Sequence, residues 1–291
     1  MTLRGIVVSL RPHQWTKNLF VLVALPLSFH LFDLQAAVRS AWAFVLFCGL
    51  SSTVYLVNDV ADLERDRLHP RKRLRPIASG IVSPRAALAV AGGLGAASLL
   101  GSASLGVPFL LAAAAYLVLN LAYSFWLKHI VIVDAISVSM GFVIRPVAGA
   151  LAISVAISDW LLICATLLAL FLSLCKRRHE LTSLNDSAAS HRQSLSEYSP
   201  YLLDQMISVV TASCVTAYAF YTTAPDTVEK FNTGRLTWTL PLVVYGIFRY
   251  LYLVHRKEQG GSPADVLLTD RPLLAAVALW GLAIVVIIYT A

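Results

Sequence analysis

Four polar residues stand where a metal-dependent reaction could use them: Asn58, Asp59, Asp62 and Asp66, in the stretch NDVADLERDRLHPRKRLRPIASG at 58–80. On a helix turning about 100° per residue, with Asn58 at zero, Asp62 lies at about 40°, Asp66 at about 80° and Asp59 at about 100°. All four share one face. Like charges on one helix face repel unless a cation sits among them, and a carboxylate at mid-membrane costs about 2.5–3.5 kcal/mol. This helix end must therefore meet water or a polar cavity. Magnesium fits the spacing, because it takes hard oxygen ligands and is held by one or two carboxylates plus waters and substrate phosphates. A dense cationic run overlaps and follows the acids: Arg65, Arg67, Arg71, Lys72, Arg73 and Arg75. Carboxylates for a metal and cations for phosphate oxygens are what a Mg²⁺-diphosphate substrate requires. The alternative is a solvated helix end whose acids pair with those same cations.

The elements that must position these residues are membrane spans. The chain of 291 residues is 58% hydrophobic and 13% charged, with a mean hydropathy of +0.72, far from the roughly 25% charged residues of soluble domains. Apolar runs long enough to cross a bilayer lie at about 19–36, 38–57, 84–105, 108–127, 131–153, 159–176, 206–224, 236–254 and 272–290. Residues 1–18 read as a short interfacial helix, with Ile6, Val7, Leu10 and Trp15 toward lipid and Arg4, Arg11 and Lys17 toward headgroups. No cleavable signal peptide is expected, and the economical organisation is one domain over 1–291. With the N-terminus inside, 19 of the 23 Lys and Arg residues fall on the cytoplasmic side, only Arg39, Lys230 and Arg235 fall outside, and Arg145 lies within a span. That is the positive-inside pattern of a multi-pass inner-membrane protein. It gives the net charge of +7 a lipid-headgroup explanation and argues against nucleic acid. Long polar segments at 58–83 and 177–205 place function on the inner side. Cys48, Cys164, Cys175 and Cys214 form no paired motif and read as small packing residues.

Asn58-Asp59-x-x-Asp62-x-x-x-Asp66, just after the second apolar run, resembles the NDxxDxxxD signature of the UbiA superfamily of intramembrane prenyltransferases. The likeness extends over essentially the whole chain in size, span number and long inner loops. It implies an all-α integral membrane protein of about nine transmembrane helices around a central cavity opening to the cytoplasm and to lipid. It also implies Mg²⁺ held by Asp62 and Asp66 with Asn58, Asp59 completing the acidic site. One departure is informative. Where the superfamily carries DxxxD at the end of the sixth helix, this chain reads LCKRRHEL, with Lys176 and Glu180 at those positions. The change argues against a second complete metal site and for Lys176 neutralising phosphate directly. Together with RPHQWTKN at 11–18, HPRKRLRPIASG at 69–80, YSFWLKHIVIVD at 123–134 and GFVIRPVAGA at 141–150, it resembles the polyprenyl-phosphate phosphoribosyltransferase branch. The resemblance implies phosphoribosyl pyrophosphate as donor and a long isoprenoid phosphate, such as decaprenyl phosphate, as acceptor. It further implies use of the product in arabinose-containing envelope polysaccharide.

Such a reaction brings a 5-phosphate, a diphosphate and a lipid phosphate together, so cations should outnumber acids. The inner segments offer Lys17, Arg67, Lys72, Arg75, Lys128, Lys176 and Arg177 against Asp59, Asp62, Asp66, Asp134 and Glu180. Tyr123 and Lys128 are expected at the substrate from the family resemblance. Arg145 is a candidate because an isolated intramembrane arginine is costly; its alternative is a structural bond to Asp134 or to a carbonyl freed by Pro146. Asp134 is either a site residue or a simple helix N-terminal charge. Two rival functions remain at this level. An aromatic prenyltransferase shares the fold and Mg²⁺ but calls for the missing second acidic pair, and a transporter calls for acids near the bilayer midplane.

Overall fold

Two prolines decide how the chain starts. In the computed structural model, which describes residues 2–70, 72–184, 193–257, 261 and 263–290, the N-terminal helix is only Leu3–Ser9. Arg11 then adopts a left-handed backbone, φ 54°, directly before Pro12, a position where helical backbone is disfavoured. The expected interfacial helix over 1–18 is thus cut short. Pro12–Val23 follows as a run of 3-10 turns and Ala24–Leu27 as a single α-helical turn containing Pro26. Phe29 turns the chain at φ 62°. Arg71, the segment 185–192 with Arg192, 258–260 and 262 lie outside the described residues.

Eight α-helices among the described residues are long and apolar enough to cross a membrane. They are α1 (Leu34–Ala61), α2 (Pro84–Ala103), α3 (Val107–Phe125), α4 (Val133–Ala152), α5 (Asp159–Leu184), α6 (Pro200–Thr223), α7 (Leu240–Arg256, whose span Arg235–Arg256 begins in the 3-10 turn Arg235–Thr239) and α8 (Arg271–Tyr289). The ninth expected span, at 19–36, is not an α-helix. The 3-10 geometry rises about 2.0 Å per residue, so Pro12–Leu27 reaches about 30 Å, close to the hydrocarbon thickness, with fewer residues than an α-helix uses. A second difference lies in α5, which runs to Leu184, eight residues past the apolar stretch. Lys, Arg, Glu and Leu are good helix formers without a bilayer, so Lys176, Arg177 and Glu180 stand on a helix and not in a loop.

The chain gathers into two compact units, Met1–Lys128 with Ile144–Ala156, and His129–Val143 with Ile157–Ala291. In the first, α1 and α2 approach through small residues. A side chain added at Gly95 would meet Thr53 at 3.1 Å and one at Gly101 would meet Leu46 at 2.7 Å; such close approach is how helices associate in lipid. Phe47, Phe109 and Tyr116 form an aromatic cluster beside Val21 and Leu50. Trp15 donates to Ser52 Oγ at 3.0 Å, and Asn18 to Ser51 Oγ at 3.1 Å, binding the 3-10 segment to α1. In the second unit, Phe171, Leu174, Leu203, Ile207, Tyr250 and Leu253 make the core. Asp270 caps α8 by accepting from the Leu273 N–H at 2.9 Å and takes Arg249 of α7 at 2.7 Å. That bond to Arg249 holds the Asp270 carboxyl below the usual range.

Gly149 of α4 lies against the backbone of Val21, where an added Cβ would stand 1.9 Å from the carbonyl oxygen. Gly149→Ala is expected to destabilise the protein by at least about 1–3 kcal/mol. Gly246→Ala, where nothing lies within 4 Å, should leave stability level or slightly raised. Thermal unfolding of the two detergent-solubilised variants checks both.

Candidate active site

The acidic face is built across a helix break. α1 ends at Ala61, Asp62 sits at φ −94°, ψ 10°, and a short helix Leu63–Leu68 follows. The break keeps register: the Asp62 N–H donates to the Asn58 carbonyl at 2.9 Å and the Asp66 N–H to the Asp62 carbonyl at 2.8 Å. Asn58, Asp62 and Asp66 therefore follow one another at one-turn intervals, as their spacing predicts.

Cations meet every one of the three carboxylates. Arg75 donates from Nη1 to Asp59 Oδ1 at 3.1 Å and to Asp66 Oδ2 at 2.5 Å, bridging two acids that are each only 2% exposed. Arg11 pairs with the same oxygen of Asp59 and lies over the Tyr55 ring at 4.9 Å. Burial pulls the Arg11 guanidinium below its usual pKa, with Asp59 opposing. Lys128, just beyond α3, donates to Asp62 Oδ1 at 2.7 Å. The pairing of acids with the following basic run is thus realised by Arg75, while Arg11 and Lys128 come from elsewhere in the sequence.

Other expected residues are placed differently. Arg67 bonds Glu64 at 2.8 Å on an exposed surface, and Lys72 is exposed in the turn Lys72–Leu74. Lys17 and Tyr123 are half-buried on the 3-10 segment and α3. Arg145 is buried and donates to Asn18 Oδ1 and to the Tyr116 hydroxyl, both at 2.9 Å, tying α4 to the 3-10 segment and α3.

A second cluster forms in the other unit. Asp134 at the start of α4 is fully buried, and Arg177 of α5 is 1% exposed. Arg177 Nε lies 3.2 Å from Asp134 Oδ2, and its Nη1 pairs with Glu180. Lys176 Nζ stands 3.7 Å from Glu180 Oε1. The Tyr198 hydroxyl donates to Asp134 Oδ1 at 2.8 Å and accepts from the Ile132 N–H at 2.7 Å. Burial, and donation to Asp134, push the Tyr198 phenol well above its ordinary range. Asp134 is therefore more than a helix-end charge. Arg11 and Tyr198 are the two residues that sequence reasoning missed. Arg11 stands in RPHQWTKN directly before Pro12, the only mark the sequence gives it; nothing around Tyr198 marks that residue.

Among the described residues no group of three or more His, Cys, Asp or Glu side chains forms a metal cage. Magnesium asks for less, since phosphate oxygens and water complete its shell. The hard oxygens of Asp62 and Asp66 one turn apart, with the Asn58 amide a turn earlier, fit that ion. All four cysteines are free, and Cys48, Cys175 and Cys214 are buried, as packing residues are.

A UbiA prenyltransferase family model matches residues 18–270. The chain is 34% identical over 294 residues to the decaprenyl-phosphate phosphoribosyltransferase of Corynebacterium glutamicum, covering 98% of this chain and 87% of that protein. It is 34% identical over 289 residues to the Mycolicibacterium smegmatis protein of the same name, covering 95% and 90%. A UbiA homolog from Archaeoglobus fulgidus, solved bound to GPP and Mg²⁺, shares the fold with a TM-score of 0.74 at 19% identity over 98% of both chains.

Tyr198→Phe removes the donor to a buried carboxylate and the acceptor of the Ile132 N–H. It is expected to cost about 1–3 kcal/mol, read as a lower thermal midpoint of the solubilised protein.

Proposed function

The chain belongs to the UbiA prenyltransferase family, and within it we propose a phosphoribosyltransferase that moves the 5-phosphoribosyl group of phosphoribosyl pyrophosphate onto a long-chain polyprenyl phosphate, releasing pyrophosphate. The 34% identity to two actinobacterial decaprenyl-phosphate phosphoribosyltransferases supports the donor and acceptor. The observation that carries the reading is the second cluster. Where a second acidic metal site would serve two diphosphate-binding ions, this chain has Lys176, Arg177 and Glu180 around Asp134. An enzyme that must take three anionic groups gains from the exchange of carboxylate for cation.

Held by Asp62, Asp66 and Asn58, Mg²⁺ would act as Lewis acid and template for the departing pyrophosphate. Arg75 and Lys128 bind diphosphate oxygens. Lys176 and Arg177 hold the other phosphates, with Asp134 and Tyr198 fixing the Arg177 fork. Lys17, Arg67, Lys72, Tyr123 and Arg145 complete the proposed substrate contacts. An oxygen of the lipid phosphate attacks C1 of the ribose through an oxocarbenium-like state. The C1–O bond to pyrophosphate breaks with its electron pair going to the leaving group. No strong general base is required, because a phosphate oxyanion is already a nucleophile. Positioning and charge stabilisation supply most of the rate. The site faces the cytoplasm of the inner membrane, where the excess of Lys and Arg lies, and the lipid product serves as pentose donor for envelope polysaccharide.

Membranes containing the protein, given Mg²⁺, labelled phosphoribosyl pyrophosphate and polyprenyl phosphate, are expected to transfer label into the lipid phase. Asp62→Ala should lower the rate at least about 100-fold. Near-normal activity of that variant refutes the acidic-site assignment. Prenylation of an aromatic acid without phosphoribosyl transfer assigns the chain to the other branch of the family.

A further inference from the structure

We propose that Arg75 and Lys128 are exchange cations, holding the acidic face closed until a diphosphate takes them, so that metal enters together with the diphosphate and not before it. The proposal rests on the diphosphate reading above. Its starting observation is that the ion pairs and a bound dication compete for the same groups. Arg75 occupies Asp66 Oδ2 at 2.5 Å and Asp59 Oδ1 at 3.1 Å, and Lys128 occupies Asp62 Oδ1 at 2.7 Å. With Arg11 on Asp59, three carboxylates face three cations and the local charge sums to zero.

A dication added to Asp62 and Asp66 raises that sum to +2 while two displaced cations remain within a few ångströms, and Coulomb repulsion at such distances is appreciable beside carboxylates as buried as Asp59 and Asp66. A diphosphate reverses the balance. Its oxygens accept from guanidinium and ammonium as readily as carboxylates do, so Arg75 and Lys128 move from carboxylate to phosphate as the metal takes their place.

The local structure suits the exchange. Arg75 leads into Pro76, Ile77 and Ala78, all buried, with Ile77 packed in a core with Leu56 and Val82; its own side chain is 28% exposed. The backbone is fixed and the guanidinium has room to turn. Lys128 carries its ammonium on a flexible four-carbon stem beyond the last turn of α3. Arg11, whose guanidinium also lies over the Tyr55 ring at 4.9 Å, is on Asp59 alone, which the metal does not need, and stays there throughout. Linkage then makes the effect reciprocal: diphosphate tightens metal by the factor by which metal tightens diphosphate. After turnover, pyrophosphate leaves with its metal and the two cations return to the acids.

The test is equilibrium dialysis of the full-length solubilised protein against Mn²⁺ as the metal probe, with and without inorganic pyrophosphate. The wild type should retain Mn²⁺ at least about tenfold more tightly with pyrophosphate, within the roughly 5–150-fold range usual for coupled sites. Arg75→Gln and Lys128→Gln, each checked for folding by thermal unfolding, should bind Mn²⁺ alone several-fold more tightly than the wild type and show a smaller pyrophosphate enhancement. If Arg75→Gln does not fold, Lys128→Gln carries the same comparison through Asp62. Equal retention by the wild type with and without pyrophosphate, or folded variants that bind Mn²⁺ alone no better than the wild type, overturns the exchange and leaves the diphosphate reading standing. Failure of the wild type to retain Mn²⁺ under either condition overturns the diphosphate reading itself.

Discussion

Asp59 in the last turn of α1 and Asp66 in the short helix that follows it are buried carboxylates, and the Arg75 guanidinium that bridges them is the interaction on which this corner of the first unit depends. An uncompensated buried charge costs about 3–5 kcal/mol once its partner is removed, so the chain must bring cations to this corner by several routes. The turn after Leu68 returns Arg75. The left-handed residue before Pro12 delivers Arg11. The end of α3 brings Lys128 to Asp62. Each connection that looks irregular by itself has the same electrostatic reason.

The second unit meets the same problem with other parts. Asp134 opens a spanning helix in full burial and is matched by Arg177 and the Tyr198 hydroxyl. Tyr198 belongs to the segment leading into α6, whose first turn is capped by Ser199 accepting from the Leu202 N–H. The position of the Arg177 fork thus depends on how α6 begins. A guanidinium held by a carboxylate on one side and a phenol-supported acid on the other is fixed in orientation, the preorganisation that the proposed phosphoribosyl transfer would use.

Much of this was legible in the sequence. The eight α-helical spans announce themselves by apolar length, and the acidic face follows from spacing alone because the hydrogen bonds across Asp62 preserve helical register. The 3-10 character of the segment around 19–36 was not legible. A window of apolar residues cannot tell a 3-10 segment from an α-helix, and Pro12, whose ring fixes the start of that segment, lies before the apolar run. The partners of the acids were hidden by distance along the chain: Arg11 is 48 residues from Asp59, and Lys128 is 66 from Asp62. Arg145 shows the limit in the other direction. Its intramembrane position marked it correctly as unusual, yet only the fold reveals that Asn18 and Tyr116 receive it.

A cryo-EM map of the protein with phosphoribosyl pyrophosphate and Mg²⁺ tests the central claim most directly. The account requires metal density between Asp62, Asp66 and the diphosphate, with the Arg75 guanidinium turned from the carboxylates to phosphate oxygens. A map in which the diphosphate binds away from Asp62 and Asp66, with Arg75 still bridging Asp59 and Asp66, contradicts it.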